Sequence, residues 1–219
     1  MKKAILIGAM SLTVMSAHAQ DFKDVLEKTF TAFDTTWNNT VQVEQSNKLS
    51  LIAKKWDNEW ITHFYVAYSK VVLSYQVKDP GKKDALLDEA DKEKDDAVSI
   101  LKKDNDETYV LAAMIANARM GVDPMTRYQK YGSIFKENIE NAKEINPDNP
   151  RMYYLEGTSK YFTPKAYGGG KKIAMPYFEK AETLFTKEAA TNPDITKPHW
   201  GKHNNEYFIA QCKIEDKDK

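Results

Sequence analysis

Apolar residues recur at helical spacing along most of the chain, so that one face after another is set for burial. Phe22, Leu26, Phe30, Phe33 and Trp37 form a single stripe, which predicts an amphipathic helix over 21–37. Asn38-Asn39-Thr40 reads as a break and cap, and Val41 to Lys55 as a weaker helix marked by Leu49, Ile52 and Trp56. Asn58 to Val77 carries a broad apolar face that includes Trp60, Phe64, Tyr68, Val71 and Tyr75, and Asp79-Pro80-Gly81 is expected to end it. Lys82 to Lys103 has a thinner face of Leu86, Leu87, Ala90, Ala97, Val98 and Leu101. Glu107 to Met120 is apolar and rich in alanine. Asp123-Pro124 and Asn149-Pro150 each set a capping side chain before a first-turn proline, and so predict two further helix starts. A last helix is expected over roughly 200–214, with a charged tail after it.

Pro150 to Ala181 carries the most specific pattern. Tyr153, Gly157 and Tyr161 stand four apart on one helical face, and Ala174, Phe178 and Ala181 share a face of the next helix. The small residues at 157, 174 and 181 permit close helix approach, while Tyr161 and Phe178 supply apolar area. Moved back by 44 residues, the first set lands on Tyr109, Ala113 and Asn117, and moved back again on Tyr65, Ser69 and Leu73. Phe135, Ile139, Ala142 and Pro147 extend the pattern to a second helix of the middle pair. This resembles the tetratricopeptide repeat (TPR), in which aromatic and small residues alternate along the seam of paired helices. There are departures from that family. The connection at Gly168-Gly169-Gly170 is longer, Lys94 stands where an aromatic belongs, and the period exceeds the usual length of about 34. The resemblance implies an all-α fold, a right-handed α-solenoid of antiparallel helix pairs with about 8–9 helices. The repeats are expected over 58–192, with N-terminal helices over 20–57 packing on them and a capping helix and tail over 193–219.

Residues 1–19 are read as a leader. Lys2 and Lys3 precede the apolar stretch Ala4 to Val14, and Ala17-His18-Ala19 matches a signal-peptidase site. A cut after Ala19 would place the protein in the periplasm or outside the cell. The leader carries two lysines and no acid, so removing it from a chain of 32 basic and 32 acidic residues leaves a net charge of −2. That balance, with arginine only at 119, 127 and 151, argues against nucleic-acid binding. No later segment has the apolar length of a membrane span, so no membrane insertion is expected. Cys212, the one cysteine, cannot form an internal disulfide.

Candidate chemistry is sparse. The acidic run Asp91 to Asp96 lacks the sixth-position glycine of a calcium loop, and Lys102 stands where that loop needs Glu, so it reads as a solvated helix face. The glycines at 168–170, followed by Lys171 and Lys172, could offer N–H groups to an anion but lack the rest of a P-loop, and read as a flexible connection. His199, His203 and Glu206 stand at i, i+4 and i+7 of the last helix and share one face, yet they lack the glutamate of a zinc-protease motif and read as solvated polar residues. His63 is expected against an aromatic ring and Cys212 as a small buried side chain. No enzyme, metal or cofactor is expected.

In the family resembled, the first helices of the pairs line a concave groove. Carried over by register, the groove would present Arg151, Tyr154, Thr158, Tyr161 and Phe162, with Glu107, Val110, Met114, Asn117 and Ala118 from the preceding pair. Tyrosine and arginine there would serve as anchors. The expected function is an exported, non-catalytic scaffold that takes a protein or peptide partner in the cell envelope. The alternative is a small-solute-binding protein of periplasmic transport, its pocket lined by Tyr154, Tyr161 and aromatics between Trp56 and Tyr75.

Overall fold

The computed structural model describes residues 22–191 and 194–214. The expected leader, Asn192-Pro193 and most of the charged tail lie outside that range. Among the described residues the regular structure is all helical: α1 (22–34), α2 (Asn39–Lys55), α3 (Trp60–Gln76), α4 (Pro80–Leu101), α5 (Asp106–Met120), α6 (Pro124–Ile145), α7 (Pro150–Phe162), α8 (Lys171–Thr191) and α9 (Lys202–Lys213).

Local chemistry sets most of these boundaries. Asn38 caps α2 by accepting from the Val41 N–H at 3.2 Å. Asn105 and Thr108 exchange the reciprocal bonds of a capping box at the start of α5. Asn149 accepts from the Arg151 N–H, and Pro150 opens α7. Asp79-Pro80-Gly81 corrects the sequence reading. It does not close α3, which stops at Gln76, but starts α4: the Asp79 carboxylate accepts from the Lys82 N–H at 2.8 Å and Pro80 occupies the first turn.

Three antiparallel pairs, α3–α4, α5–α6 and α7–α8, stack so that α3 meets α5 and α5 meets α7. The alternation expected of a helical repeat is therefore present, with α2 laid on α3 and α9 on α8. Of the repeated positions, Tyr65, Ser69, Leu73, Ala113 and Gly157 are buried, while Tyr109, Asn117, Tyr153 and Tyr161 are half-buried. A Cβ at Gly157 would lie 2.6 Å from the Phe178 ring, so α7 and α8 touch at a distance that only glycine allows. One continuous core runs from Phe22, Leu26, Phe30 and Phe33 of α1 through the stacked pairs to Phe178, Phe185 and Trp200.

The connection between α7 and α8 is a built turn rather than a loose one. Gly168 and Gly170 adopt φ of 79° and 102°, and a Cβ at Gly169 would lie 2.1 Å from the Thr163 carbonyl oxygen. The Gly170 N–H is spent on the Lys160 carbonyl at 2.8 Å and that of Gly169 on Pro164. With the Gly168 N–H on the Lys165 carbonyl, all three glycine donors that an anion would meet there are used.

Candidate functional site

The face expected to be an open groove is divided by the chain itself. After α8 the backbone returns as a non-helical segment, Asp194 to Gly201, which opens on a turn closed by the Lys197 N–H on the Asp194 carbonyl at 3.0 Å and lies across the first helices of the pairs. Tyr65 of α3 donates its hydroxyl to the Lys197 carbonyl at 2.9 Å. Arg151 of α7 donates to the Pro198 carbonyl, to Glu107 at 2.9 Å and, through both terminal nitrogens, to Glu188. Lys23 of α1 pairs with Asp194 at 2.9 Å. Ile195 and Trp200 are buried, with the Trp200 ring 4.9 Å from Tyr68 and 6.2 Å from Tyr154.

This arrangement corrects the expectation for Arg151, whose exposure is 0%. Its guanidinium lies over the rings of Phe185 and Trp200 as well as in the ion pairs, and so forms part of the core. Glu107 is buried beside it, and burial pushes its pKa up to about 7 against the pull of the Arg151 charge. Met114, Tyr154 and Thr158 are buried too, and the Thr158 hydroxyl is turned back onto the Leu155 carbonyl at 2.9 Å. Asn117 is half-buried. Of the expected groove residues, Tyr161 and Phe162 reach the surface. The register placed these side chains on the correct helices. It could not show that a distant segment covers them.

Beyond the covered half lies a surface built from aromatic rings. Trp37 follows the end of α1 and is 67% exposed, although the helical stripe assigned it to the buried face. Its ring stands 5.8 Å from His203 and 5.7 Å from Tyr207, which occupy successive turns of α9. Tyr207 adjoins Phe208 at 5.4 Å, and Phe208 meets Tyr161 at 5.1 Å and Phe162 at 5.8 Å. Phe162 is 70% exposed. Behind this row, Phe208 stacks on buried Phe178 at 5.3 Å with only 9° between the planes, which holds the outer rings on a rigid base.

Tyr75 is 51% exposed, yet surrounding protein raises its phenol pKa well above the ordinary value. The Tyr68 and Tyr154 hydroxyls lie within electrostatic reach of it. Tyr68 donates to Asp34 at 2.8 Å, and burial raises the Asp34 pKa. Two clefts flank the 194–201 segment. One of about 240 Å³ lies between α1 and the segment, lined by Glu27, Phe30, Asp34 and His199. The other, of about 450 Å³, lies at the starts of α5 and α7.

The remaining candidates separate. His199 belongs to the 194–201 segment and bonds the Lys197 carbonyl, while α9 begins only at Lys202, after Gly201 turns the chain at a φ of 100°. The three-residue face of His199, His203 and Glu206 therefore does not form. His63 pairs with Glu93 at 2.7 Å instead of packing on a ring, and that bond raises its pKa. Asp96 lies close enough for the three to resemble a metal cluster, but the second His63 nitrogen faces the Asp57 carbonyl at 3.3 Å. Cys212 is half-buried against the core. The acidic run at 91–96 is a face of α4, where Asp91 pairs with Arg119 at 2.7 Å and Lys92 with Asp96. No helix among the described residues is long and apolar enough to cross a membrane.

No protein-family model matches the chain. Part of it is similar to regulator of microtubule dynamics protein 2. The human and Macaca fascicularis proteins are 29% identical over 90 residues, and the Bos taurus protein is 32% identical over 85. These matches cover 37% of this chain and 20% of the length of those relatives. Among solved structures, the fold is similar to that of the HusA haemophore from Porphyromonas gingivalis, with a TM-score of 0.73, 29% identity, and coverage of 90% of this chain and 97% of that one.

Proposed function

We propose that the chain is an exported, non-catalytic binding protein whose ligand is a flat aromatic macrocycle of the haem type. The observation that carries this reading is the connected ring surface around α9. Trp37 and Phe162 are largely exposed at its ends, and Tyr207 and Phe208 join them. A fold gains nothing in stability from leaving such rings in solvent, and large exposed apolar patches mark binding surfaces. Flat rings offer stacking area at low entropic cost, which suits a planar ligand.

The similarity to a haemophore across nearly the whole of both chains supports the same ligand class, and the leader-like start supports export. The TPR-like pairing supplies a rigid frame for a surface drawn from both ends of the chain. A peptide scaffold has weaker support: Arg151, which would anchor a peptide, already holds a carbonyl of the chain's own segment. Small-ligand capture, the alternative reading of the sequence, is the one the ring surface favours.

The test is a titration of the purified protein with haemin, followed in the Soret band. Saturable binding is expected, and Trp37→Ala and Phe162→Ala should each weaken it by about tenfold or more while leaving far-UV circular dichroism unchanged. A wild-type protein with no saturable change at micromolar haemin would overturn the proposal.

A further inference from the structure

Among the described residues, one cluster of metal-ligating side chains forms, and it shares no residue with the ring surface. His63 stands on the first turn of α3. Glu93 and Asp96 stand three apart on α4, so one face of that helix presents both carboxylates. Each of the three residues brings a ligand atom within 4.8 Å of the other two. The His63 Nδ1 lies 2.7 Å from a Glu93 oxygen, and the two side chains are mostly buried, with exposures of 13% and 23%.

The second imidazole nitrogen decides which atom serves as ligand. Nε2 faces the Asp57 carbonyl at 3.3 Å, in the turn between α2 and α3. A carbonyl only accepts, so Nε2 carries a proton and Nδ1 is left to bind a metal. Metal-ligating histidines are commonly oriented in this way, by a backbone carbonyl on the nitrogen that does not ligate. The bond to Asp57 therefore builds the site rather than closing it. With zinc bonds of about 2.1 Å, tetrahedral ligand atoms stand about 3.4 Å apart, so the contact between His63 and Glu93 needs to widen by only about 0.7 Å.

We propose that His63, Glu93 and Asp96 bind a divalent transition ion of the zinc class, with water completing a four-coordinate shell. The ion takes the place of the proton between His63 and Glu93, and that proton passes to solvent. One imidazole with two carboxylates suits zinc, whereas calcium and magnesium favour an all-oxygen set. Asp96 also pairs with Lys92 at 2.6 Å. That pair is exposed, and the carboxylate keeps a second oxygen for the metal. Ligation joins α3 to α4 and, through His63, holds the turn at Asp57.

The experiment titrates the purified chain, free of any histidine tag, with zinc chloride in a calorimeter. One zinc per chain is expected, with a Kd in the micromolar range or tighter, a melting temperature that rises with zinc, and no response to magnesium. Glu93→Gln and Asp96→Asn preserve side-chain shape and should each weaken zinc binding by about tenfold or more, with far-UV circular dichroism unchanged. Nitrogen-15 NMR of the zinc form should show His63 ligated at Nδ1 and protonated at Nε2. Zinc binding that survives both carboxylate variants, or that is lost when His199 and His203 are replaced by Ala, would mean an adventitious surface ion and overturn the site. So would a wild-type protein with no saturable heat at about 100 μM zinc.

Discussion

At the scale of single residues, Arg151 shows how far burial can reverse a role inferred from register. In an open groove, truncating it would remove a contact and leave stability unchanged. Inside the protein its charge is balanced by Glu107 and Glu188 and extended to the Pro198 carbonyl. Arg151→Ala would leave the Glu107 carboxylate buried without its partner. Removing one member of such a pair costs about 3–5 kcal/mol. Urea unfolding followed by circular dichroism should show that loss, and a midpoint equal to the wild type would mean that the ion pair does not form in solution. The spacing of Arg151, Tyr154 and Thr158 was legible from the sequence. Their burial was not, because it depends on a segment more than thirty residues further along the chain.

At the scale of elements, the seam between α7 and α8 is the feature the sequence described best. Glycine inside a helix ordinarily costs about 0.5–1 kcal/mol relative to alanine, so Gly→Ala should stabilise a free helix. At Gly157 the added Cβ would lie 2.6 Å from the Phe178 ring, and the sign should reverse. Gly157→Ala is expected to lower the melting temperature, Gly157→Leu to destabilise by at least the ~1–3 kcal/mol typical of overpacking, and Phe178→Leu to relieve part of the alanine penalty. A Gly157→Ala variant more stable than wild type would show that the helices are not in contact there. The periodic stripe of α1 was equally legible up to Phe33. It misassigned Trp37 because the helical region ends at 34, and a helical projection beyond the last turn says nothing about direction.

At the scale of the whole molecule, the 194–201 segment joins the two ends of the fold. It draws on Lys23 of α1, Tyr65 of α3 and Arg151 of α7, and Trp200 is its main anchor. Trp200→Ala should cost about 3–5 kcal/mol through lost burial and the cavity left behind. It should also increase binding of a hydrophobic dye as the first helices of the pairs become accessible. A variant with wild-type stability and no added dye binding would mean that the segment is dispensable, and the groove would return as a candidate peptide site.

The amino-acid sequence by itself determined the helices, most of their boundaries and their pairing. Caps, first-turn prolines and apolar periodicity act over a few residues, and Gly157 with Phe178 encodes a contact between neighbouring helices. The tertiary structure alone decided what the groove holds and where the rings are exposed. Those features bring residue 37 to 203 and 207, 162 to 208, and 151 to 198. Contacts of that kind arise from how the core closes around the array, and no local pattern in the chain specifies them.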